Sequence, residues 1–338
     1  MHTSKDKWEH IMSVFKCSED IKHLCIPPEY IDAAVIVPKT VIIEAVFGCN
    51  ASCTMCPIDM PTERTKGTME MALFEDVIDK LSPYAGEIKQ LDVFGVGEPL
   101  LDKNYAKKIA YAKNKGFKNV GFATNAEFLT EGMANDVMNA GIDTIMISID
   151  GVKKQTHESI RRKTHFEIVV NNTINAIKLR NANQQKTKFV IRFIKQQKNI
   201  AEWDEFRKYW SGIINTECGD LIAGYDLHSW GGEIDMKDTD RVPAVPDELP
   251  CHHLYDRMII LNDGSVPLCC ADMHLCNVKI GDCTIDDPIK VYNSDIMNRI
   301  RKVHLSGKRT SMDICKACTI LNSESKKYKS NESNANSF

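Results

Sequence analysis

The sequence has little net charge, no long hydrophobic run and few aromatic residues. Its 338 residues carry 43 Lys and Arg against 46 Asp and Glu, a formal charge of −3. This balance gives no overall basic field, which disfavours nucleic acid or an anionic membrane as a partner. No stretch approaches the roughly 18 uninterrupted apolar residues of a membrane-spanning helix, and the first residues lack the apolar core of a secretion signal. We therefore expect a cytoplasmic protein that binds neither nucleic acid nor membrane.

Cysteine, by contrast, is abundant, with 13 residues in the chain. Small secreted domains use many cysteines as disulfides, but this chain is long, the number is odd and a reducing compartment is expected. Clustered thiols in such a compartment usually bind metals or take part in redox chemistry. The positions of the cysteines therefore indicate where the chemistry lies.

Strand and helix patterns alternate between about residues 40 and 228. Strands are predicted at Val41–Val46, Gln90–Gly95, Asn119–Thr124, Thr144–Ile149, Lys188–Ile194 and Asp220–Asp226. Helical apolar spacing follows most of these runs. Six strand–helix units predict an α/β fold with a parallel sheet and helical crossovers.

The alternation ends near residue 229, and a second region follows. Trp230-Gly231-Gly232 and later prolines predict a linker. Beyond it, Met258–Leu261 and Ser265–Leu268 flank an Asn-Asp-Gly turn, which predicts a β-hairpin. The predicted division is a lead-in at 1–38, an α/β body at 39–229, a cysteine-bearing module at 230–322 and a disordered tail at 323–338.

Cys49, Cys53 and Cys56 directly follow the first predicted strand. Thiolates on so short a loop can turn toward one point, and these soft ligands suit zinc or an iron–sulfur cluster. A closed structural zinc site takes four ligands, whereas a cubane held by three cysteines leaves one iron open. The loop follows a strand, where parallel α/β folds place their sites. Three core cysteines, or a zinc knuckle with a distant fourth ligand, are the alternatives.

This C-x3-C-x2-C motif resembles that of the radical S-adenosylmethionine (SAM) superfamily, and the resemblance covers roughly residues 40–228. It implies a partial (β/α)6 TIM-like barrel and a 4Fe–4S cluster held by the three cysteines, with SAM bound at the open iron. Reductive cleavage of SAM would yield methionine and a 5′-deoxyadenosyl radical. A flavodoxin- or ferredoxin-type protein is the implied electron donor.

Residues at later strand ends also match the family's cofactor positions. The segment from Gly95 to Pro99 resembles the Gly-Gly-Glu segment that binds the SAM amino group, although Val96 replaces the usual first glycine. Ser148 and Asp150 resemble ribose contacts, Arg192 resembles the cation aimed at the SAM carboxylate, and Met55 stands where an aromatic usually faces the adenine. The implied cofactor-binding residues are Met55, Gly97, Glu98, Asn125, Ser148, Asp150 and Arg192.

A second cysteine set has the spacing C-x12-G-x4-C followed by a distant C-x2-C, and consists of Cys251, Cys269, Cys315 and Cys318. Four thiolates suit a fully ligated 4Fe–4S cluster or structural zinc. The arrangement resembles the SPASM family of C-terminal extensions in its shortened "twitch" form, which implies one auxiliary 4Fe–4S cluster. The remaining thiols are predicted to be reduced and partly buried, although Cys270, Cys276 and Cys283 are alternative candidates for the ligand roles; these thiols are Cys17, Cys25, Cys218, Cys270, Cys276 and Cys283.

The resemblance implies a radical SAM oxidoreductase. An auxiliary cluster near the substrate favours a net oxidation, and the four-cysteine spacing is similar to that of the aminoglycoside dehydrogenase of butirosin biosynthesis. The favoured substrate is therefore a sugar or aminocyclitol alcohol; a peptide- or protein-modifying maturase is the alternative. Tyr225, His228 and Arg257 are the candidate catalytic residues, with His228 or Arg257 taking the alcohol proton. Each could instead be structural, with Tyr225 packing the barrel rim.

Two other classes of protein compete with this interpretation. A zinc-stabilised module for nucleic acid would carry basic patches with interleaved aromatic residues, and the balanced charge disfavours it. A ferredoxin-like carrier with two closed clusters does not explain why the first set stops at three cysteines.

Overall fold

The structure is a computed structural model and describes residues 31–235 and 250–320. The predicted disordered tail, most of the lead-in, and Cys17 and Cys25 lie outside the described residues.

Short strands and helices alternate along the chain. The strands are β1 Thr40–Ile43, β2 Val46–Phe47, β3 Ser52–Cys53, β4 Gly67–Thr68, β5 Gln90–Asp92, β6 Val120–Thr124, β7 Thr144–Ser148, β8 Arg161–Arg162, β9 Lys188–Lys195, β10 Leu221–Asp226, β11 Arg257–Ile260, β12 Ser265–Pro267 and β13 Lys279–Asp282. The α-helices are α1 Met71–Leu81, α2 Tyr105–Asn114, α3 Glu131–Asn139, α4 Lys154–Ile160, α5 Phe166–Ala182, α6 Trp203–Ser211, α7 His253–Asp256, α8 Pro288–Tyr292, α9 Asp295–Leu305 and α10 Asp313–Lys316.

A seven-stranded parallel sheet forms the body, in the order β10-β9-β7-β6-β5-β1-β11. Six of these strands are those predicted from the sequence, and the α/β fold is confirmed as a partial TIM-like barrel. Each crossover helix buries one face. In α1 the buried residues are Phe74, Val77, Ile78 and Leu81, which share one side of a helix because they are three or four positions apart. None of the described helices is both long and apolar enough to cross a bilayer.

The seventh strand of the sheet comes from the predicted C-terminal module. Strand β11 lies parallel beside β1, with Thr40 opposite Arg257, and the predicted hairpin is therefore wrong. Its turn does form, but Ser265–Pro267 pairs with Lys279–Asp282 instead. The physical reason is that Met258, Ile259 and Ile260, three successive residues of β11, are all buried. A strand that is apolar on both faces suits the interior of a parallel sheet better than a half-exposed hairpin.

The linker is predicted to begin in the loop after β10. The described residues of this loop are packed against another segment, so the prediction is wrong for them. Gly231 and Gly232 have φ angles of 67° and 103°. A Cβ on Gly231 would lie 2.8 Å from Ile314 Cγ1, and one on Gly232 would lie 2.7 Å from Ala317 Cβ. The two glycines therefore allow this loop to contact the segment that carries Cys315.

The end of the predicted lead-in contacts the C-terminal part of the chain. The Ile36 N–H donates to Asn293 Oδ1 at 2.8 Å, and Asn293 Nδ2 donates to the Ile36 carbonyl at 3.0 Å. The boundaries between the lead-in, body and module stay a prediction.

Candidate functional site

One cavity of about 600 Å³ lies at the carboxyl ends of the strands. Most of the residues predicted to bind cofactor or substrate line it, although they come from many separate segments. These residues are Cys49, Cys53, Met55, Cys56, Gly97, Glu98, Asn125, Ser148, Arg192, Tyr225, His228 and Arg257. The fold therefore brings nearly the whole predicted set to one place, as expected for strand ends that meet at one edge of a sheet.

Backbone pairing fixes the first cysteine loop from two sides. Strand β3 places Cys53 opposite Arg161 in an antiparallel pair. On the other side, Gly48 forms a bridge with Gly97, and the Glu98 N–H donates to the Gly48 carbonyl at 2.9 Å. The loop is thus held before any ligand binds, with its cysteines facing the cavity.

The three thiols of this loop lie in an environment suited to a cationic centre. Burial raises the pKa of the Cys49 and Cys56 thiols to about 12, and it also raises the pKa of Cys53. The Arg161 guanidinium, with Nη1 3.9 Å from Cys53 Sγ, opposes this effect on the pKa of Cys53. Without a metal the thiols stay protonated, whereas metal binding requires and stabilises the thiolates. The donor set therefore fits an iron–sulfur cluster.

Glu98 ties the strand ends around the cavity together. Its Oε1 accepts hydrogen bonds from Thr124 Oγ1 at 2.7 Å and the Leu100 N–H at 3.1 Å, while its Oε2 accepts one from the Asn125 N–H at 2.8 Å. Asn125 in turn donates from Nδ2 to Asn50 Oδ1 at 2.8 Å. Glu98 and Asn125 therefore connect the end of β6 with the first cysteine loop.

Arg192 is the predicted cation that faces the cavity. Its Nη2 donates to Ser148 Oγ at 3.0 Å, whereas its buried Nε has no hydrogen-bond partner among the described residues. A buried guanidinium nitrogen without a partner suits an anionic ligand group such as a carboxylate. Ser148 and Arg192 thus both line the cavity, and their contacts with SAM stay a prediction.

Asp150 lies behind the cavity wall, so the structure does not support the predicted ribose contact. It is fully buried and absent from the cavity lining. One oxygen accepts from the Ile194 N–H at 2.6 Å, and the other lies 2.8 Å from Arg161 Nε. Asp150 therefore holds Arg161, a cavity residue that sequence reasoning missed. The Arg161-Arg162 pair follows no recognisable motif, and only the β3–β8 pairing brings it to the cysteines.

The cysteines of the second set lie close enough to influence one another, and Cys270 is among them. Burial raises the pKa of Cys251 and Cys269 far above the usual range, and repulsion between neighbouring thiolates adds to this effect; Cys270 and Cys318 act on both thiols. The pKa of Cys315 is raised to about 12 by burial and by its neighbour Cys318. Such a group of thiols suits one shared cationic centre.

The remaining described cysteines are distributed differently. Cys270 lines the cavity, with Arg257 Nη1 3.8 Å from its sulfur. Cys283 is fully buried beside Asp282, and Cys276 is near Asp272. Cys218, Cys276 and Cys283 do not contribute to the lining of the cavity.

Comparison with protein families accounts for both cysteine sets. Residues 43–195 match the family model described as the radical SAM superfamily. This part of the chain is therefore a radical SAM domain. Residues 251–319 match a second family, SPASM, described as an iron–sulfur cluster-binding domain. A radical SAM domain and a SPASM domain imply 4Fe–4S clusters, and the two cysteine sets described above are available to hold them.

Curated relatives resemble this chain over part of their length. A tungsten-containing aldehyde ferredoxin oxidoreductase cofactor-modifying protein of Pyrococcus furiosus is 29% identical over 112 residues, which cover 33% of this chain and 31% of the relative. Mycofactocin maturase MftC of Mycolicibacterium smegmatis is 24% identical over 281 residues, which cover 78% of this chain and 66% of the relative. The chain spans between 31% and 52% of the length of the first three curated relatives that it matches.

Solved structures share the fold of this chain. The crystal structure of BtrN in complex with AdoMet and 2-DOIA superposes with a TM-score of 0.58 at 17% identity, covering 84% of this chain and 94% of that chain. Streptococcus suis SuiB bound to precursor peptide SuiA gives a TM-score of 0.60 at 14% identity, covering 90% of this chain and 73% of SuiB.

Substitution of Gly97 by alanine is expected to distort the radical SAM site. A Cβ at Gly97 would lie 2.3 Å from the Val46 carbonyl oxygen and 2.7 Å from that of Gly48, and backbone atoms cannot move away as a flexible side chain can. We expect Gly97→Ala to weaken SAM binding at least about tenfold and to cost about 2 kcal/mol of the free energy of unfolding. Calorimetric titration with SAM and thermal unfolding measure both effects. Gly132→Ala is the matched control, because nothing lies within 4 Å of its Cβ; an equal loss there would contradict the prediction.

The buried Glu98 predicts a pH dependence of stability. Burial raises its pKa from 4.5 to about 7, so the folded state favours the protonated form. This contribution is fully present below about pH 4.5 and is lost as the pH rises to about 7, by up to about 3 kcal/mol. We therefore expect the free energy of unfolding of wild type, measured relative to Glu98→Gln, to fall between pH 4.5 and 7. Parallel stability curves for the two proteins would show that the pKa of Glu98 is not raised.

Proposed function

We propose that this protein is a radical SAM oxidoreductase that dehydrogenates a sugar- or aminocyclitol-type alcohol. SAM is cleaved reductively, and the resulting 5′-deoxyadenosyl radical removes the hydrogen atom from the carbinol carbon. The substrate radical then loses one proton and one electron, which gives the ketone. The products are methionine, 5′-deoxyadenosine and the two-electron-oxidised substrate.

The observation that carries this proposal is that the first cysteine set lines the cavity and that residues close in sequence to the second set line it too. Cys49, Cys53 and Cys56 line it directly. Cys270 and Ile320, which are neighbours of Cys269 and Cys318 in the sequence, also line it. A substrate in this cavity would therefore lie between the two sets. This position suits a reaction that begins at the first cysteine set and delivers the electron of the substrate radical to the second.

The clusters would supply the electron transfers at both ends of the reaction. Cys49, Cys53 and Cys56 would hold one 4Fe–4S cluster, and Cys251, Cys269, Cys315 and Cys318 would hold the auxiliary one. Arg192 would bind the SAM carboxylate through its unpartnered Nε, with Ser148 fixing its guanidinium. Met55, which is 8% exposed, would cover the adenine through dispersion contacts.

The proton acceptor would come from the rim after β10 or from β11. Tyr225, His228 and Arg257 line the cavity. His228 lies beside Trp230, with ring centroids 4.7 Å apart, and Trp230 Nε1 donates to the Met55 carbonyl at 3.0 Å. This contact holds His228 close to the first cysteine loop, so we favour its imidazole as the base that takes the alcohol proton.

The size of the cavity supports a small substrate. A volume of about 600 Å³ lies within the range of roughly 300–1,000 Å³ typical of sites for single small molecules. The fold shared with BtrN, a radical SAM dehydrogenase of butirosin biosynthesis, also supports an alcohol substrate. We further propose a flavodoxin- or ferredoxin-type electron donor.

A peptide- or protein-modifying maturase is the second candidate function. It is favoured by the similarity to MftC over 78% of this chain and by the fold shared with SuiB bound to a precursor peptide. In that case the cavity would admit one side chain of a peptide, and the same hydrogen abstraction would precede crosslinking or epimerisation.

Anaerobic turnover with deuterated candidates tests the proposal. Purified protein is expected to be brown and to contain about eight irons per chain. With SAM and a strong reductant it should release 5′-deoxyadenosine, and deuterium should transfer into this product from the carbinol carbon of the correct sugar or cyclitol. Deuterium transfer from peptides alone would favour the maturase, whereas colourless zinc protein would exclude both candidates.

A further inference from the structure

His304 is a fully buried histidine between two cysteines of the auxiliary set. Its Nδ1 accepts a hydrogen bond from the Cys251 N–H at 3.2 Å. Its Nε2 lies 3.5 Å from Cys315 Sγ. One imidazole therefore contacts the first cysteine of the set and a cysteine of the distant C-x2-C pair.

Helix α9 places this ring. The helix begins after Ser294, whose hydroxyl accepts from the Met297 N–H. One turn before His304, Arg301 Nε donates to the Leu254 carbonyl at 3.0 Å, which anchors the buried face of the helix beside the Cys251 segment. The position of the ring is thus set by two neighbouring turns of a helix that packs against the cysteine-bearing chain.

The contact with Cys251 determines which ring nitrogen carries the proton. A backbone N–H can only donate, so Nδ1 must offer its lone pair. The proton of the neutral ring is then on Nε2, the nitrogen that faces Cys315. The imidazole can therefore donate an N–H···S hydrogen bond to the Cys315 sulfur.

We propose that His304 is a positioning residue that donates a hydrogen bond to the Cys315 thiolate and raises the reduction potential of the auxiliary cluster. This inference rests on the proposed function for the presence of that cluster. Reduction adds negative charge, which spreads onto the ligand sulfurs, and a donor directed at one of them stabilises the reduced state more than the oxidised state. His304 would thereby make this centre a better acceptor for the electron of the substrate radical.

Two substitutions separate the donor from the contact with Cys251. His304→Gln keeps an acceptor for the Cys251 N–H and an amide N–H in place of Nε2. His304→Asn keeps an acceptor near the position of Nδ1 but is too short to reach Cys315. Arg309 Nη1 donates to the Cys315 carbonyl at 3.1 Å. Neither substitution removes this hydrogen bond, so we expect Cys315 to stay anchored in both variants.

The measurement is an EPR-monitored redox titration of the auxiliary cluster in the full chain. All variants are made in a protein in which Cys49, Cys53 and Cys56 are replaced by alanine, because this removes the EPR signal of the other cluster. We expect His304→Asn to make reduction about tenfold less favourable, which corresponds to about 59 mV for a one-electron couple, while His304→Gln stays near wild type. His274→Asn is the control, because His274 is equally buried but its Nδ1 contacts Glu233 at 2.5 Å.

Each outcome bears on a different claim. Equal potentials in the Asn and Gln variants, or an equal shift in His274→Asn, would overturn the role of His304. If His304→Asn does not retain the cluster, His304→Leu takes its place, because leucine has no hydrogen-bond donor. A cluster that is harder to reduce in His304→Leu than in His304→Gln would support the donor role, and equal potentials in these two variants would overturn it. Absence of any auxiliary cluster from the parent protein would instead refute the proposed function.

Discussion

Alanine substitution of Cys49, Cys53 or Cys56 is expected to abolish the release of 5′-deoxyadenosine from SAM. Each substitution removes one of the three thiolates that the first cysteine loop presents to the cavity. Loss of an outer-shell partner alone typically lowers metal affinity 10–100-fold, so loss of a ligand should reduce the rate at least about a hundredfold. The assay is anaerobic incubation with SAM and a strong reductant, followed by chromatography of the nucleoside product.

The matched control for this prediction is Cys276→Ala. Cys276 is also a partly buried thiol, but it does not line the cavity. We expect this variant to cleave SAM at the wild-type rate and to keep its full iron content. Substantial SAM cleavage by Cys53→Ala, or an equal loss in Cys276→Ala, would contradict the assignment of the three-cysteine site.

Substitution of the auxiliary cysteines is expected to separate SAM cleavage from substrate oxidation. Cys315→Ala and Cys318→Ala should lose about half of the iron yet still release 5′-deoxyadenosine, because neither residue lines the wall formed by the first cysteine loop. The oxidised product should disappear, since the substrate radical would lack its electron acceptor. Iron content, 5′-deoxyadenosine and oxidised product are measured on the same samples.

The ratio of oxidised product to 5′-deoxyadenosine decides this second prediction. Wild type should give a ratio near one, and both variants should give a ratio at least about tenfold lower. Cys218→Ala is the control and should keep the wild-type ratio, because Cys218 precedes β10 and does not line the cavity. Equal loss of both products in Cys315→Ala would show that the two cysteine sets do not divide the reaction as proposed.

The sequence predicted the body of the fold because its signals are local. Six parallel strands could be found from short apolar runs and the helical patterns between them, with ends within a few residues of those observed. Strand β11 was misassigned because Met258, Ile259 and Ile260 also fit a hairpin next to an Asn-Asp-Gly turn. Only the vacant edge of β1, a feature of the assembled sheet, favours the parallel partner.

Motif spacing likewise predicted the candidate metal- and cofactor-binding residues, but not the side chains that position them. The cysteines, Glu98 and Arg192 could be found because their chemistry requires a residue type at a fixed place near a strand end. Arg161 and His304 could not, since each acts through contacts with residues more than ten positions away in the sequence. No periodic or motif signal marks such a contact.

The amino-acid sequence alone determined the parallel α/β architecture, the two cysteine sets and the radical SAM resemblance, because these depend on local patterning and on thiol chemistry. Tertiary structure alone decided that the first cysteine set and sequence neighbours of the second line one cavity, that Asp150 supports Arg161 from behind its wall, and that His304 contacts both Cys251 and Cys315. These relations depend on how distant segments pack, and packing is a property of the whole core rather than of any one segment.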